Sequence, residues 1–186
     1  MKFLAKLVFF IAGWKISGFY PKGLKKSVMI AGPHTSNWDL LYARAAFYIM
    51  GVPVKYTIKK EIMVFPLGNI LSALGAIPID RSKKNKVSKR NSVVEGMIEL
   101  FNERDELVIM ITPEGTRKYT PKWKTGFYHV AVGANVPILL GFLDYENKRA
   151  GIGPTVYPSG NLEEDIKTIM DFYRPIKGKY PDQGVR

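Results

Sequence analysis

His34 and Asp39 stand five positions apart in the stretch Pro-His-Thr-Ser-Asn-Trp-Asp, just past the apolar run Val28-Met29-Ile30-Ala31-Gly32. A neutral imidazole takes a proton near pH 7, and a carboxylate on its other ring nitrogen fixes the tautomer and stabilises the cation formed. With two histidines and no cysteine, the chain has few other residues able to do this work. The spacing also has a plainer reading. Ser36 with Asp39 three residues on forms a capping-box pattern, which puts a carboxylate in a first helical turn without any catalysis.

Two further polar clusters follow strand-like segments. Asp80-Arg81 follows Ala76–Ile79, and Pro113-Glu114-Gly115-Thr116-Arg117 follows Leu107–Thr112. A guanidinium fork matches phosphate oxygens bidentately, so Arg81 and Arg117 suit a phosphorylated ligand. Gly115 lets backbone amides approach an anion, and Thr116 adds a hydroxyl. Glu114 cannot bind phosphate; its expected roles are to orient Arg117 or to accept from a ligand hydroxyl. Asn37 or amides over residues 32–35 are candidates for an oxyanion site. His129, in the apolar stretch Gly-Phe-Tyr-His-Val-Ala, reads as a packed structural histidine.

Positioning these residues falls to alternating strands and helices. Period-2 and short apolar runs predict strands over 27–32, 52–58, 76–79, 107–112, 137–144 and 150–156. Helical spacing predicts helices over 37–50, parts of 61–74, 88–102, 126–134 and 161–173, the last stopping before Pro175. Such alternation implies an α/β domain with a largely parallel or mixed central sheet flanked by helices. Segment 140–156 also fits an antiparallel hairpin about Glu146-Asn147-Lys148. If the strands are parallel, the three polar clusters meet at their carboxyl ends, where open α/β sheets bind ligands.

The charge is uneven. The net charge is +12, yet residues 1–38 hold six lysines and no acid, and 81–90 hold six more bases and no acid. The other basic residues balance the acids. A local excess of this kind suits an anionic partner: phospholipid, nucleic acid, or a phosphorylated or acidic carrier. A nucleic-acid role leaves the His/Asp and Glu-Gly-Thr-Arg clusters unexplained. Absence of cysteine excludes thiolate nucleophiles and disulfides, and two distant histidines argue against a metal site. Residues 2–19 read as one helix, apolar nearly all round, with a charge-free centre far shorter than the roughly 20 residues that span a bilayer. No small-residue cleavage site precedes Lys15, so a helix lying in the membrane interface fits better than a signal sequence, with a buried core helix as the alternative. The expected organisation is therefore a membrane-associating helix and basic linker over 1–26, then an α/β domain over 27–186. Segment 62–79, uncharged but broken by proline and glycine, reads as short helices that wall an apolar groove or join the core.

Taken together, His34-x4-Asp39, Gly-Ala-Ile-Pro-Ile-Asp-Arg81 and Pro-Glu-Gly-Thr-Arg117 resemble, in order and spacing, the glycerolipid acyltransferases typified by lysophosphatidic acid acyltransferases. Lys59-Lys60-Glu61, Pro66 and Gly75 resemble the stretch between the family's first two blocks, and the likeness runs over about residues 27–145. One departure is the fourth block, where Val136-Pro137-Ile138-Leu139-Leu140 leads into Gly141; it bears on the wall of the acyl groove. The resemblance implies acyl transfer from a coenzyme A or acyl carrier protein thioester to a lysophospholipid hydroxyl in phospholipid biosynthesis, with no other cofactor. It implies His34 as base, Asp39 as its orienting carboxylate, and Arg81, Glu114, Gly115, Thr116 and Arg117 around the acceptor head group. It also implies a monotopic location on an anionic membrane surface at the cytoplasmic face. Alternatives are an acyltransferase for another lipid acceptor, such as an aminolipid, or a non-catalytic protein that binds membrane or nucleic acid.

Overall fold

A computed structural model describes residues 1–73, 75–79 and 89–186. The elements run in chain order as α1 (Lys2–Ala12), β1 (Lys15–Ser17), β2 (Lys26–Gly32), α2 (Trp38–Met50), β3 (Val54–Lys59), α3 (Leu67–Ala73) and β4 (Ala76–Ile79). They continue with α4 (Lys89–Asn102), β5 (Leu107–Ile111), α5 (Gly126–Gly133), β6 (Ile138–Asp144), β7 (Arg149–Val156) and α6 (Leu162–Tyr173).

These strands make one seven-stranded mixed sheet in the order β1-β7-β6-β2-β5-β3-β4. Strands β2 to β6 run parallel, and β7 returns antiparallel to β6 through the turn at Glu146–Lys148. The central strand β2 is apolar on both sides, because helices cover both faces. Val28 and Ile30 point into a cluster with Phe101, Phe127, Val130 and Ile169 from α4, α5 and α6. Met29, one residue out of phase, points the other way, against Phe47 of α2 and Val52.

Helices α1 and α2 lie together on that second side. Ala5 and Phe9 of α1 are buried with Ala45 and Ala46 of α2, while most other α1 residues are exposed. Helix α1 stops at Ala12 rather than reaching residue 19. Gly13 adopts φ 73°, and its N–H and that of Trp14 cap the Phe10 and Phe9 carbonyls. Glycine takes this left-handed turn without a Cβ penalty. The freed segment Lys15–Ser17 pairs with β7 as an edge strand, so residues 1–26 join the remainder through sheet and helix contacts. Among the described residues no helix is long and apolar enough to cross a membrane.

Candidate active site

Strands β2 and β5 are parallel neighbours with Ile30 paired to Ile111. Residues three or four beyond those positions therefore share one edge of the sheet. His34 and Glu114 meet there, and the His34 backbone N–H donates to Glu114 Oε1 at 3.0 Å. A Cβ on Gly32 would press on the Tyr173 ring at 3.3 Å and stand in ordinary contact, at 3.5 Å, with the Glu114 carboxylate.

Asp39 reaches His34 because of how α2 starts. Ser36 Oγ accepts from the Trp38 N–H at 3.2 Å, and Asp39 Oδ2 accepts the Ser36 N–H at 2.9 Å. The Asp39-to-Ser36 bond is one half of a capping box; the other half is missing, because Ser36 Oγ turns to the Trp38 N–H and the Asp39 N–H donates to the Ser36 carbonyl. The same Oδ2 also accepts the Thr35 N–H and faces His34 Nδ1, each at 2.9 Å. Capping and imidazole orientation are thus two uses of one oxygen. With a carboxylate on Nδ1, the proton sits there and Nε2 is the basic nitrogen. Nε2 has no partner among the described residues, and the partly exposed ring lines a cleft.

The second oxygen, Asp39 Oδ1, accepts the Tyr145 hydroxyl at 2.7 Å. Burial alone would raise the Asp39 carboxyl. The bonds from His34, Tyr145 and the Ser36 amide outweigh it and hold the group below the ordinary carboxylate range. Glu114 behaves oppositely. Burial, aided by the charge of Asp39, pushes it up to about 7 against the pull of the His34 amide and imidazole.

The phosphate-side residues lie on the β5–α5 loop. Gly115 turns at φ 64°, and the Lys124 side chain lies where a Cβ on it would stand. Thr116 and Arg117 are exposed; Thr116 Oγ1 accepts the Lys118 N–H, and the Arg117 guanidinium donates to Asn37 Oδ1. Arg117 is therefore oriented by Asn37, not by Glu114, whose oxygen serves the His34 amide. Arg81 lies outside the described residues, together with Asp80 and the basic stretch over 81–88. His129 is exposed, correcting the expectation of a packed histidine: its position on α5 turns away from the sheet while Tyr128 and Val130 are buried.

The cleft beside His34 measures about 510 Å³. Leu40, Ala43, Phe47 and Met50 of α2 form one wall and Ala31, Met110, Gly141 and Leu143 of the sheet the other, with Asn37 and Arg117 at the polar edge. Among the described residues this apolar cleft lies under α2, while in segment 62–79 Ile62, Val64, Phe65, Leu67 and Ile70 are exposed. Gly141, the departure in the fourth block, is on this wall.

Tyr145 and the C-terminal segment carried no sequence signal, because each reaches the site from far along the chain; Lys124 folds back onto Gly115 within the β5–α5 loop. Gly178 packs on Thr35, and the Tyr180 N–H donates to Thr35 Oγ1 at 3.3 Å, so the last residues buttress the His34 loop. A base on a carboxylate, an apolar cleft and cations at its mouth can deprotonate an alcohol next to a bound acyl chain.

Comparison with known proteins bears on the family and the fold. The 1-acyl-sn-glycerol-3-phosphate acyltransferase of Salmonella typhimurium is 30% identical over 110 residues, covering 57% of this chain and 42% of that protein. Its counterpart from Haemophilus influenzae is 30% identical over 122 residues, covering 63% of this chain and 48% of its own length. The chain thus spans less than half the length of the curated relatives it matches. The crystal structure of the 1-acyl-sn-glycerophosphate (LPA) acyltransferase PlsC from Thermotoga maritima shares the fold, with TM-score 0.59 and 18% identity, over 92% of this chain and 74% of that one. The sequence model of the Acyltransferase family matches residues 17–139, a span holding His34, Asp39 and Glu114 to Arg117, and the chain belongs to that acyltransferase family.

Proposed function

We propose that this protein transfers a fatty acyl group from a coenzyme A or acyl carrier protein thioester to a hydroxyl of a lysophospholipid, 1-acylglycerol-3-phosphate being the reference acceptor. The observation that carries the reading is His34: Nδ1 is held by Asp39, and the ring borders an apolar cleft whose polar edge bears Arg117. The acyl chain fits the apolar part of the cleft, which puts the thioester carbonyl near the imidazole. His34 Nε2 takes the acceptor hydroxyl proton as the oxygen attacks that carbonyl. The tetrahedral intermediate collapses with cleavage of the C–S bond, and His34 returns the proton to the departing thiolate. No covalent enzyme intermediate is needed. Asp39 stabilises the imidazolium formed in between.

Arg117 and Lys124 supply cations for the acceptor phosphate, Gly115 and Thr116 shape the loop, and Glu114 steadies the His34 backbone from below. Arg81 follows β4 in the chain and is assigned to the same head group on the family pattern. The activity for which the Salmonella and Haemophilus relatives are named supports the choice of acceptor. The exposed apolar residues of α1, interspersed with Lys2 and Lys6, support a monotopic placement on an anionic membrane at the cytoplasmic face.

The deciding experiment presents vesicle-bound protein with palmitoyl-coenzyme A or an acyl carrier protein thioester and a panel of lyso-lipids. Transfer to 1-acylglycerol-3-phosphate is expected, with loss of about 10³-fold or more in the His34→Ala variant. Undiminished transfer by that variant would remove His34 from the chemistry. Arg117→Ala should mainly raise the acceptor KM, and transfer to neutral acceptors alone would remove the phosphate site.

A further inference from the structure

We propose that Tyr145 is a positioning residue for the His34–Asp39 pair, its hydroxyl locking the carboxylate plane and an aromatic column running back to α1 locking the hydroxyl. This rests on the acyl-transfer reading of the site. Asp39 Oδ2 is shared by three N–H donors, from His34, Thr35 and Ser36, each at 2.9 Å. With only two side-chain torsions, fixing Oδ2 also sets where Oδ1 stands, and none of those three N–H groups reaches that second oxygen. Tyr145 supplies that oxygen's donor with a 2.7 Å bond to Oδ1, so the carboxylate plane is held from both ends. The hydroxyl must be the donor, because an ionised carboxylate can only accept. Burial, the bond to Asp39 and the charge of Asp39 all raise the phenol, so it keeps its proton across the working range.

The ring itself is held from several sides. It stands edge-on to Trp14 at 4.9 Å and 87°, and edge-on to Tyr42 of α2 at 5.9 Å and 85°. Trp14 and Tyr42 stack at 4.5 Å, and Phe9 of α1 leans on Trp14 at 6.1 Å. The Tyr145 backbone N–H donates to the Lys177 carbonyl at 2.8 Å, which ties it to the C-terminal segment as well. Aromatic pairs of this geometry prefer offset and edge-to-face contact, so the column resists rotation. Through it the orientation of Asp39 depends on α1 being seated on α2.

A positioning role has an electrostatic signature. The hydroxyl draws negative charge away from the Oδ2 side, so its removal makes Asp39 a stronger partner for an imidazolium. The titratable groups facing Asp39 and Tyr145 are His34 on the β2–α2 loop, Glu114 beyond β5, Tyr42 on α2 and Tyr180 near the C-terminus. None of them changes in Tyr145→Phe, which also keeps the ring.

The test compares wild type, Tyr145→Phe and Trp14→Phe as full chains on vesicles, with palmitoyl-coenzyme A and 1-acylglycerol-3-phosphate. For Tyr145→Phe, kcat should fall about tenfold while both KM values change less than about twofold, as expected for loss of one hydrogen bond to a charged group. The acid limb of kcat/KM should move to higher pH by about half a unit. Trp14→Phe should lower kcat in the same direction by a smaller factor. A second readout needs no turnover: the His34 Nδ1–H proton, followed by NMR and assigned with His34→Ala, should exchange faster with solvent in Tyr145→Phe, the exposed His129 serving as control. An unmoved acid limb with unchanged Nδ1–H exchange overturns the role, even if the variant melts at a lower temperature. If no protein turns over any acceptor, the acyl-transfer reading fails and proton exchange alone decides the position of Tyr145.

Discussion

Glu114 shows how much a single residue in this site depends on its surroundings. Its carboxyl is buried and takes a backbone N–H, which is too little to restore an ordinary carboxylate value, and it rises to about 7 from a reference of 4.5. The folded protein therefore holds more protons at Glu114 than the unfolded chain between those two values, and stability falls as pH rises through that window. Above it the full cost is in place, at most about 3 kcal/mol. Glu114→Gln keeps an acceptor for the His34 amide and carries no charge. It should melt at a higher temperature than wild type at about pH 8 and gain little at about pH 5, which thermal melts at both values check. An equal gain at both would mean that charge burial is not the cause. Asp39 has the opposite sign. Its depressed value contributes stability that is present above the ordinary carboxylate range and is lost as pH falls through it. Asp39→Asn should therefore flatten the acid end of the melting curve and slow transfer together.

Elements explain what was and was not legible. The strand at 76–79 and the hairpin at 140–156 could be read directly, since their patterns are local. Asp39 was legible twice over, as a cap and as a partner for His34, because both meanings need only residues within one turn. The helix read over 2–19 overran because its apolar pattern continues past Gly13. The strand that replaces its end exists only through pairing with Arg149 to Gly151, on the far side of the sequence. Sheet order is non-local for the same reason, and it alone decides that the groove lies beneath α2. Within the β5–α5 loop the local rule does apply. Gly115 sits at φ 64°, with the Lys124 side chain over its missing Cβ. Gly115→Ala should cost about 1–2 kcal/mol for the left-handed backbone and displace Lys124, raising the acceptor KM more than it lowers kcat. A KM series with melting data separates this from a simple loss of fold. An acceptor KM equal to wild type would exclude Lys124 from the head-group site.

At the scale of the whole molecule, most of the exposed large apolar side chains among the described residues lie on one side. The β2-to-β3 and β3-to-β4 crossovers move along the sheet in the same direction, so the right-handed rule puts α3 on the face that carries α2 and α1. Arg44 of α2, close to Gly75 at the start of β4, agrees with that placement. The same face bears Phe3 and Phe10 on α1, 81% and 83% exposed, Leu40 and Leu41 on α2, and Phe65 and Ile70 around α3, 85% and 56% exposed. Charge follows the same division: up to Ile79 the only acids are Asp39 and Glu61, while α4 and α6 on the other face carry Glu95, Glu99, Glu163 and Glu164. An apolar and basic face on the α2 side of the cleft suits contact with an anionic bilayer. A phenylalanine contributes about 1.5–3 kcal/mol when its side chain leaves water, so Phe3→Ser with Phe10→Ser should weaken vesicle partitioning by about 100-fold or more. Phe65→Ser should weaken it further if α3 also touches lipid. Each lysine near an anionic surface adds about 1 kcal/mol, so removing anionic lipid or raising salt should weaken binding of all variants in parallel. Sedimentation with neutral and anionic vesicles measures both contributions. Partitioning that ignores the phenylalanines but follows salt would make the contact purely electrostatic, leaving the exposed apolar face without its bilayer.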